Sequence, residues 1–263
     1  MRVHTLSAWV AFSLLAISPV GVEAKDLTLR QRVTTAGVVA GTHESTQYWV
    51  GNRIVTDGPS NRVIFDLDAE TTTMVDKRQQ TYFTQTFAET RQQADEMKAQ
   101  MQKQLEKMPP QAREMMGKMG MPATAETATS VKPTGKSEKI AGYEAKEYVF
   151  EAGPMTGSIW ATEGLQPPGG AKATEAFSKM MGVAAPGANV AQAIAQIHGV
   201  PLRTSFRTGA GAQAFSTTTE VVEVSEKAVP ADVLKVPDGF KKIDSPLGRM
   251  RASKGMPAGA SGH

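Results

Sequence analysis

The amino-acid sequence predicts an α+β fold, a strongly curved antiparallel sheet with two helical insertions lying over one face. Three observations carry this. Short runs that alternate apolar and polar residues recur through both halves of the chain, separated by turns rich in Gly, Asn, Asp and Lys. After Thr86 the period changes, and apolar residues return at steps of three and four. A second helical stretch interrupts the later strands and is stopped by Gly199 and Pro201.

The first residues set the expected compartment. Arg2 supplies a positive charge, Leu6 to Val20 carries none, and Val22-Glu23-Ala24 closes the stretch with a small residue. This is the layout of a cleaved secretory signal, with the cut expected after Ala24, and the apolar run is short for a bilayer span of about 20 residues. The expected location is the bacterial periplasm. Residues 1–24 are read as signal peptide and 25–243 as a single domain with a Met-rich helical insertion at 86–133. Residues 244–263 are read as a disordered tail rich in Gly, Ala, Ser and Arg. The chain has no cysteine, which excludes disulfides, thiol chemistry and a lipidated N-terminal cysteine. Its net charge is +3, with no dense basic stripe interleaved with aromatics, so nucleic acid is not an expected partner. No later stretch is long and apolar enough for a transmembrane helix.

The elements follow in order. Leu27, Leu29 and Val33 alternate with polar residues, and Tyr48-Trp49-Val50 passes through Gly51-Asn52-Arg53 into Ile54-Val55 as a hairpin. Val63, Phe65 and Leu67, then Met74-Val75, then Tyr82-Phe83 continue a meander. Thr86 and Glu89 have the spacing of a capping box, in which each side chain satisfies the other residue's free N–H. Ala94, Met97, Met101, Leu105 and Met108 form a narrow stripe on the helix that follows, and Pro109-Pro110 ends it. A shorter helix is read from Gln111 to Met119, and Gly120 to Pro133 is read as a linker. Lys139 to Phe150 and Met155 to Thr162 read as two strands. Ala171 to Met181 and the stretch capped by Asn189 read as helices, and Leu202 to Phe206 and Phe215 to Val224 as strands.

Chemistry-bearing groups are sparse. In the expected mature domain only His43 and His198 remain, with no Gly-x-Ser-x-Gly elbow to supply a nucleophile, so no catalytic residue is assigned and the chain is not read as an enzyme. Gly135-Lys136-Ser137 ends like a phosphate loop, but Ser130 stands where its first glycine belongs. Asp66-x-Asp68-x-Glu70 lacks the glycine and terminal glutamate of a calcium loop, with Thr71 and Lys77 in their places. Seven of the 14 methionines fall between Met97 and Met121. Thioethers are soft ligands for Cu(I), which makes Met115, Met116, Met119 and Met121 an alternative metal site; flexible methionine equally lines adaptable apolar surfaces.

Several short motifs carry a resemblance. Ile140-Ala-Gly-Tyr143-Glu-Ala-Lys146 resembles a strand of an uncharacterised periplasmic family, domain of unknown function number 4412. Gly199-Val-Pro-Leu202 resembles its next strand start. Thr217 to Val224, Val229-Pro230-Ala and Val236-Pro237-Asp-Gly239-Phe-Lys-Lys242 resemble its closing segment. That family is similar in fold to the LolA-like lipoprotein carriers. The resemblance implies a half-barrel sheet with helices plugging its concave face and a hydrophobic cavity, without catalytic residues.

Together these readings predict a non-catalytic periplasmic binder or carrier of an apolar ligand, an acyl chain or lipoprotein lipid. Strand alternation and the helix stripe nominate Trp49, Phe65, Phe83, Met97, Met101, Trp160, Met180, Met181 and Phe206 as its lining. No cofactor is expected. The alternatives are Cu(I) binding by the methionine cluster and an envelope module that docks a protein partner on its Met-rich helix.

Overall fold

The computed structural model describes residues 25–37, 40–109, 111, 129–152, 155–170, 173, 197–209, 214–245 and 248–249. Outside them lie residues 1–24, read from sequence as a signal peptide, the methionines Met115, Met116, Met119 and Met121, and Met180 and Met181. So do most of the stretch read from sequence as two later helices and the tail from Met250 onward, and the side chains of Met97 and Met101.

Six strands form the first half: β1 (Leu27–Ala36), β2 (Gly41–Val50), β3 (Arg53–Asp57), β4 (Asn61–Asp66), β5 (Thr71–Asp76) and β6 (Thr81–Thr86). Helix α1 (Phe87–Lys107) leaves the end of β6. The second half contains β7 (Thr129–Ile140), β8 (Tyr143–Ala152), β9 (Met155–Thr162), β10 (Val200–Thr208) and β11 (Phe215–Ser225). A 3-10 turn over Ala231–Leu234 and the short β12 (Lys241–Lys242) close the described chain. All twelve strands belong to one sheet in the order β12-β6-β5-β4-β3-β2-β1-β11-β10-β9-β8-β7. Every pairing is antiparallel except that of β12 with β6. Among the described residues the sheet does not close, and β7 and β12 are its two ends.

Turn chemistry explains the meander. Gly51 takes φ +53° in the two-residue turn between β2 and β3, a conformation that costs glycine little and matches the twist of paired strands. The turns after β4 and β5 each start at an aspartate that holds its own loop. Asp66 Oδ1 accepts from the Ala69 N–H at 3.0 Å, and Asp76 Oδ1 accepts from the N–H groups of Arg78 and Gln79. The capping box forms as its spacing predicts. Thr86 Oγ1 accepts from the Glu89 N–H at 3.1 Å, and Glu89 Oε2 accepts from the Thr86 N–H at 2.8 Å.

Two readings need correction. Lys139 to Phe150 is not one strand, because Ala141 and Gly142 take φ +48° and +93° and fold Ile140-Ala-Gly-Tyr143 into a hairpin turn. The linker ending at Pro133 runs into structure, since β7 begins at Thr129. Proline is tolerated there because β7 is an edge strand and its register with β8 shifts between Pro133 and Ser137. Helix α1 packs against β6, and none of its described side chains is buried. The helical residue Ala173 is buried in one cluster with Trp49 and Leu27, and most of the later insertion lies outside the described residues.

Registers divide the sheet into two faces. On one, Leu27, Leu29, Trp49 and Ile54 are neighbours in β1, β2 and β3, all between 0% and 2% exposed. They form a buried cluster with Val221, Leu202, Leu165 and Ala173, against which Phe65 packs. A second cluster joins Phe150, Ile159 and Ala161 of β8 and β9 with Ile197, just before β10, and has Phe206 beside it. Part of the opposite face is covered by the chain after β11. It passes over β3, where Val55 is buried, and ends with the Lys241 N–H donating to the Gln80 carbonyl and the Ile243 N–H to the Tyr82 carbonyl. Arg62 anchors this strap by donating to the carbonyls of Asp232 (3.2 Å) and Lys235 (3.1 Å).

Candidate functional site

The candidate site is an apolar diagonal on the face that carries Trp49. Two cross-strand rows define it. In the first, Trp49, Ile54, Phe65, Thr72 and Gln85 lie opposite one another from β2 to β6. In the second, Gln47, Thr56, Val63, Met74 and Phe83 do the same. The first row is apolar from β2 to β4 and polar beyond. The second is polar at β2 and β3 and apolar from β4 to β6. The apolar surface therefore runs obliquely, buried at Trp49 and Ile54 and accessible at Val63, Met74 and Phe83, where Met74 is 38% exposed. Side chains directly opposite on one face stand about 5 Å apart, so the three form one continuous patch.

The patch is bordered by uncharged groups. Gln47 Oε1 accepts from Trp49 Nε1 at 3.1 Å, which holds the indole against the core. Gln85 Nε2 donates to Thr90 Oγ1 at 2.9 Å and fixes the first turns of α1 beside the row. Thr72 is buried between Phe65 and Gln85. Asp76 is the only charged residue facing this way in β1 to β6, and its carboxylate is occupied by its own loop.

Charge is concentrated on the other face. Asp57 accepts from Arg62 Nε and Lys77 Nζ, both at 2.8 Å. Burial alone would raise the Asp57 pKa, but the hydrogen bonds and charges of Arg62 and Lys77 outweigh it and leave it below 3.8. The Ala69 N–H, with help from Arg53, likewise holds Asp66 below the usual carboxylate range. Farther along the sheet the Arg203 guanidinium lies 5.8 Å from the Trp160 ring centre and bonds both Glu138 oxygens, at 2.8 and 3.0 Å, and Glu220. Glu138, then burial, then Glu220 act on Arg203, and the carboxylates prevail to raise its pKa.

The residues nominated from sequence separate accordingly. Trp49 lies in the buried cluster, Phe65 and Trp160 both pack against it, and Trp160 also stands opposite Arg203 and Glu147 in the register, while Phe83 lies on the diagonal. Trp49 is enclosed in the core, and Phe206 stands apart from the diagonal, its ring 6.2 Å from that of Phe215. Val63 and Met74 join the site without having been nominated. Thr71-Thr72-Thr73-Met74-Val75 has no alternation to say which of its last two residues faces inward; only the turn lengths set that register. His43 and His198 are both exposed. Asp68 accepts from Asn52 Nδ2 at 2.7 Å, so the Asp66–Glu70 stretch works as a hairpin turn, and Gly135-Lys136-Ser137 lies within a strand. Among the described residues no group of three His, Asp or Glu side chains converges, and no helix is long and apolar enough to cross a membrane.

The chain is thus built on one open, almost wholly antiparallel sheet. It belongs to the family described as domain of unknown function DUF4412, whose model matches residues 59–240. No curated protein matches it. Among solved structures it is similar to PNGF-II at 12% identity and TM-score 0.43, over 88% of this chain and 34% of that one, so it spans about a third of PNGF-II. An uncharacterized conserved protein from Thermus thermophilus is similar at 7% identity and TM-score 0.42, over 84% of this chain and 90% of that one. A LolA superfamily protein from Nitrosomonas europaea is similar at 6% identity and TM-score 0.28, over 80% of this chain and 90% of that one.

Proposed function

We propose that the protein is a non-catalytic binder or carrier of an apolar ligand, an acyl chain, working in the periplasm after export. The observation that carries this reading is the row Val63–Met74–Phe83, accessible apolar surface continuous with the buried cluster at Trp49. An acyl chain laid on such a surface gains roughly 0.8 kcal/mol per buried methylene before association costs, and needs no catalytic group. The Cu(I) alternative concerns Met115, Met116, Met119 and Met121, which lie outside the described residues.

Two measurements test it. A naphthylamine probe that fluoresces in apolar surroundings is expected to bind wild type and to be displaced by a long-chain acyl ester. Met74→Asp should weaken that binding roughly tenfold or more, because a carboxylate without a partner is costly in an apolar contact. The circular dichroism spectrum should stay unchanged, since Met74 is partly exposed. Unaltered probe binding in Met74→Asp would remove the row from the site, and no probe binding by wild type would sink the carrier reading. Export is checked separately: Edman sequencing of the protein from its host should begin at Lys25, and a mature chain retaining Met1 would contradict it.

A further inference from the structure

We propose that the site favours a single-chain amphiphile whose polar end is an anion, a carboxylate or a phosphate, and that Lys241 is the residue that meets it. This rests on the acyl-binding reading above and adds the chemistry of the ligand's polar end. The apolar row does not stop at Phe83. β12 lies beside β6 in parallel, with Lys241 opposite Thr81 and Lys242 opposite Tyr82, and the Ile243 N–H donates to the Tyr82 carbonyl at 2.8 Å. Residues directly across a ladder point to one side, so Lys241 joins the row Asn61–Asp76–Thr81 on the apolar face, while Lys242 points to the other. Alternation returns Ile243 to the side of Lys241, beside Phe83. The strap therefore lengthens the apolar row to Val63–Met74–Phe83–Ile243 and sets an ammonium about 7 Å along the strand from its last member.

That ammonium is uncommitted. Lys241 is exposed and has no ion-pair partner among the described residues. Arg53, Arg62 and Lys77, by contrast, each pair with an aspartate on the opposite face. Asp76 stands two strands from Lys241, about 10 Å at the usual strand spacing, and its carboxylate already accepts two N–H groups of its own turn. Such a distance is about one screening length at physiological salt. Arg78, exposed in the same turn, adds positive charge at that edge. The row thus has a polarity. It is continuous with the buried Trp49 and Ile54 at one end and opens towards Lys241 at the other. An acyl chain laid along it with its methyl end inward brings its polar end to the ammonium, and a charge-assisted hydrogen bond there is open to an anion and not to a neutral ester.

The experiment measures displacement of the naphthylamine probe at pH 8 by palmitate, hexadecyl phosphate and the neutral 1-palmitoylglycerol, each below its micelle concentration. The two anions distinguish a fatty acid from a phosphate headgroup as the source of the same charge. Lys241→Gln is expected to weaken at least one of them about two- to fivefold, the range of an exposed ion pair, and to leave 1-palmitoylglycerol unchanged. In about 1 M salt most of that difference should vanish, because an exposed pair is screened. The substitution keeps the backbone N–H that donates to the Gln80 carbonyl, so β12 should stay paired, and thermal unfolding run alongside checks that the fold is kept. Equal weakening of all three ligands would mean that the strap had shifted rather than a charge been lost. Unchanged binding of all three would remove Lys241 from the site. Either result overturns the proposal while leaving acyl binding intact. Failure of all three ligands to displace the probe from wild type would defeat the carrier reading itself, and this proposal with it.

Discussion

Gly199→Ala is expected to destabilise the protein by about 3 kcal/mol or more, and to lower its melting temperature by roughly 6–12 °C for a domain of this size. Two independent penalties fall on that residue. Its φ of +99° lies in the region that side chains avoid, and an added Cβ would run into the backbone carbonyl of Thr162 and stand 3.0 Å from the Glu163 N. Backbone cannot yield as a flexible side chain does, and Val200, the next residue, is paired with Thr162 at the start of β10. Gly51→Ala is the control. It also has positive φ, +53°, but its Cβ would meet nothing within 4 Å. It should cost only about 1 kcal/mol, as is usual for a left-handed side chain. Equal losses by differential scanning calorimetry would show that the contact at Thr162 has no weight.

Asp57→Ala should be comparably severe, at about 3–5 kcal/mol, because it strands a buried guanidinium. The Arg62 side chain is only 11% exposed, against 28% for Lys77, so the arginine has little water to replace its partner. Arg62 would keep its bonds to the carbonyls of Asp232 and Lys235, and urea unfolding of Asp57→Ala with Arg62→Leu would separate the two roles. If the double variant recovers stability, the loss came from the stranded charge; if it falls further, Arg62 matters chiefly as the anchor of the strap. The pH dependence follows from the same group. Its folded pKa lies below 3.8, so the pair contributes its stability above that value and loses it as pH falls through the folded pKa. Wild type should accordingly lose stability below about pH 4, whereas Asp57→Ala should lose less over that range, as acid titrations monitored by circular dichroism would show.

The legible parts of the fold are those fixed by local chemistry. Alternation marks Leu27–Val33, Val63–Leu67 and Leu202–Phe206, and Thr86 with Glu89 announces the helix start three residues apart. What stays hidden depends on partners distant in sequence. Thr129 to Ser137 pairs with β8 in spite of Pro133 and a register shift, which no local pattern reports. Ala141 adopts left-handed φ where alanine is not favoured, so Ile140-Ala-Gly-Tyr143 resembles a strand interior in sequence. For the site, the aromatic Phe65 and Phe83 are visible as inward positions of a meander. Met74 is not, because a run of threonines erases the alternation that would have oriented it. Trp160 is the converse case. It packs against the cluster that holds Trp49, but the Arg203 guanidinium over its ring and Glu147 across the strand come from register, which no local pattern reports.

The order of strands has a consequence for the timing of folding. β1, the first strand of the described chain, sits between β2 and β11, with Leu29 opposite Val224. Hairpins β2 to β6 can form as each emerges, but one edge of β1 must wait for residues about two hundred positions later. Until then it presents a bare row of amides and carbonyls, the kind of edge that captures stray strands. The wait ends only when nearly the whole chain is available, so the rate of delivery, rather than the intrinsic speed of hairpin formation, governs how long that edge stays vulnerable. A chain built this way gains from a holding chaperone during delivery and has little use for one afterwards.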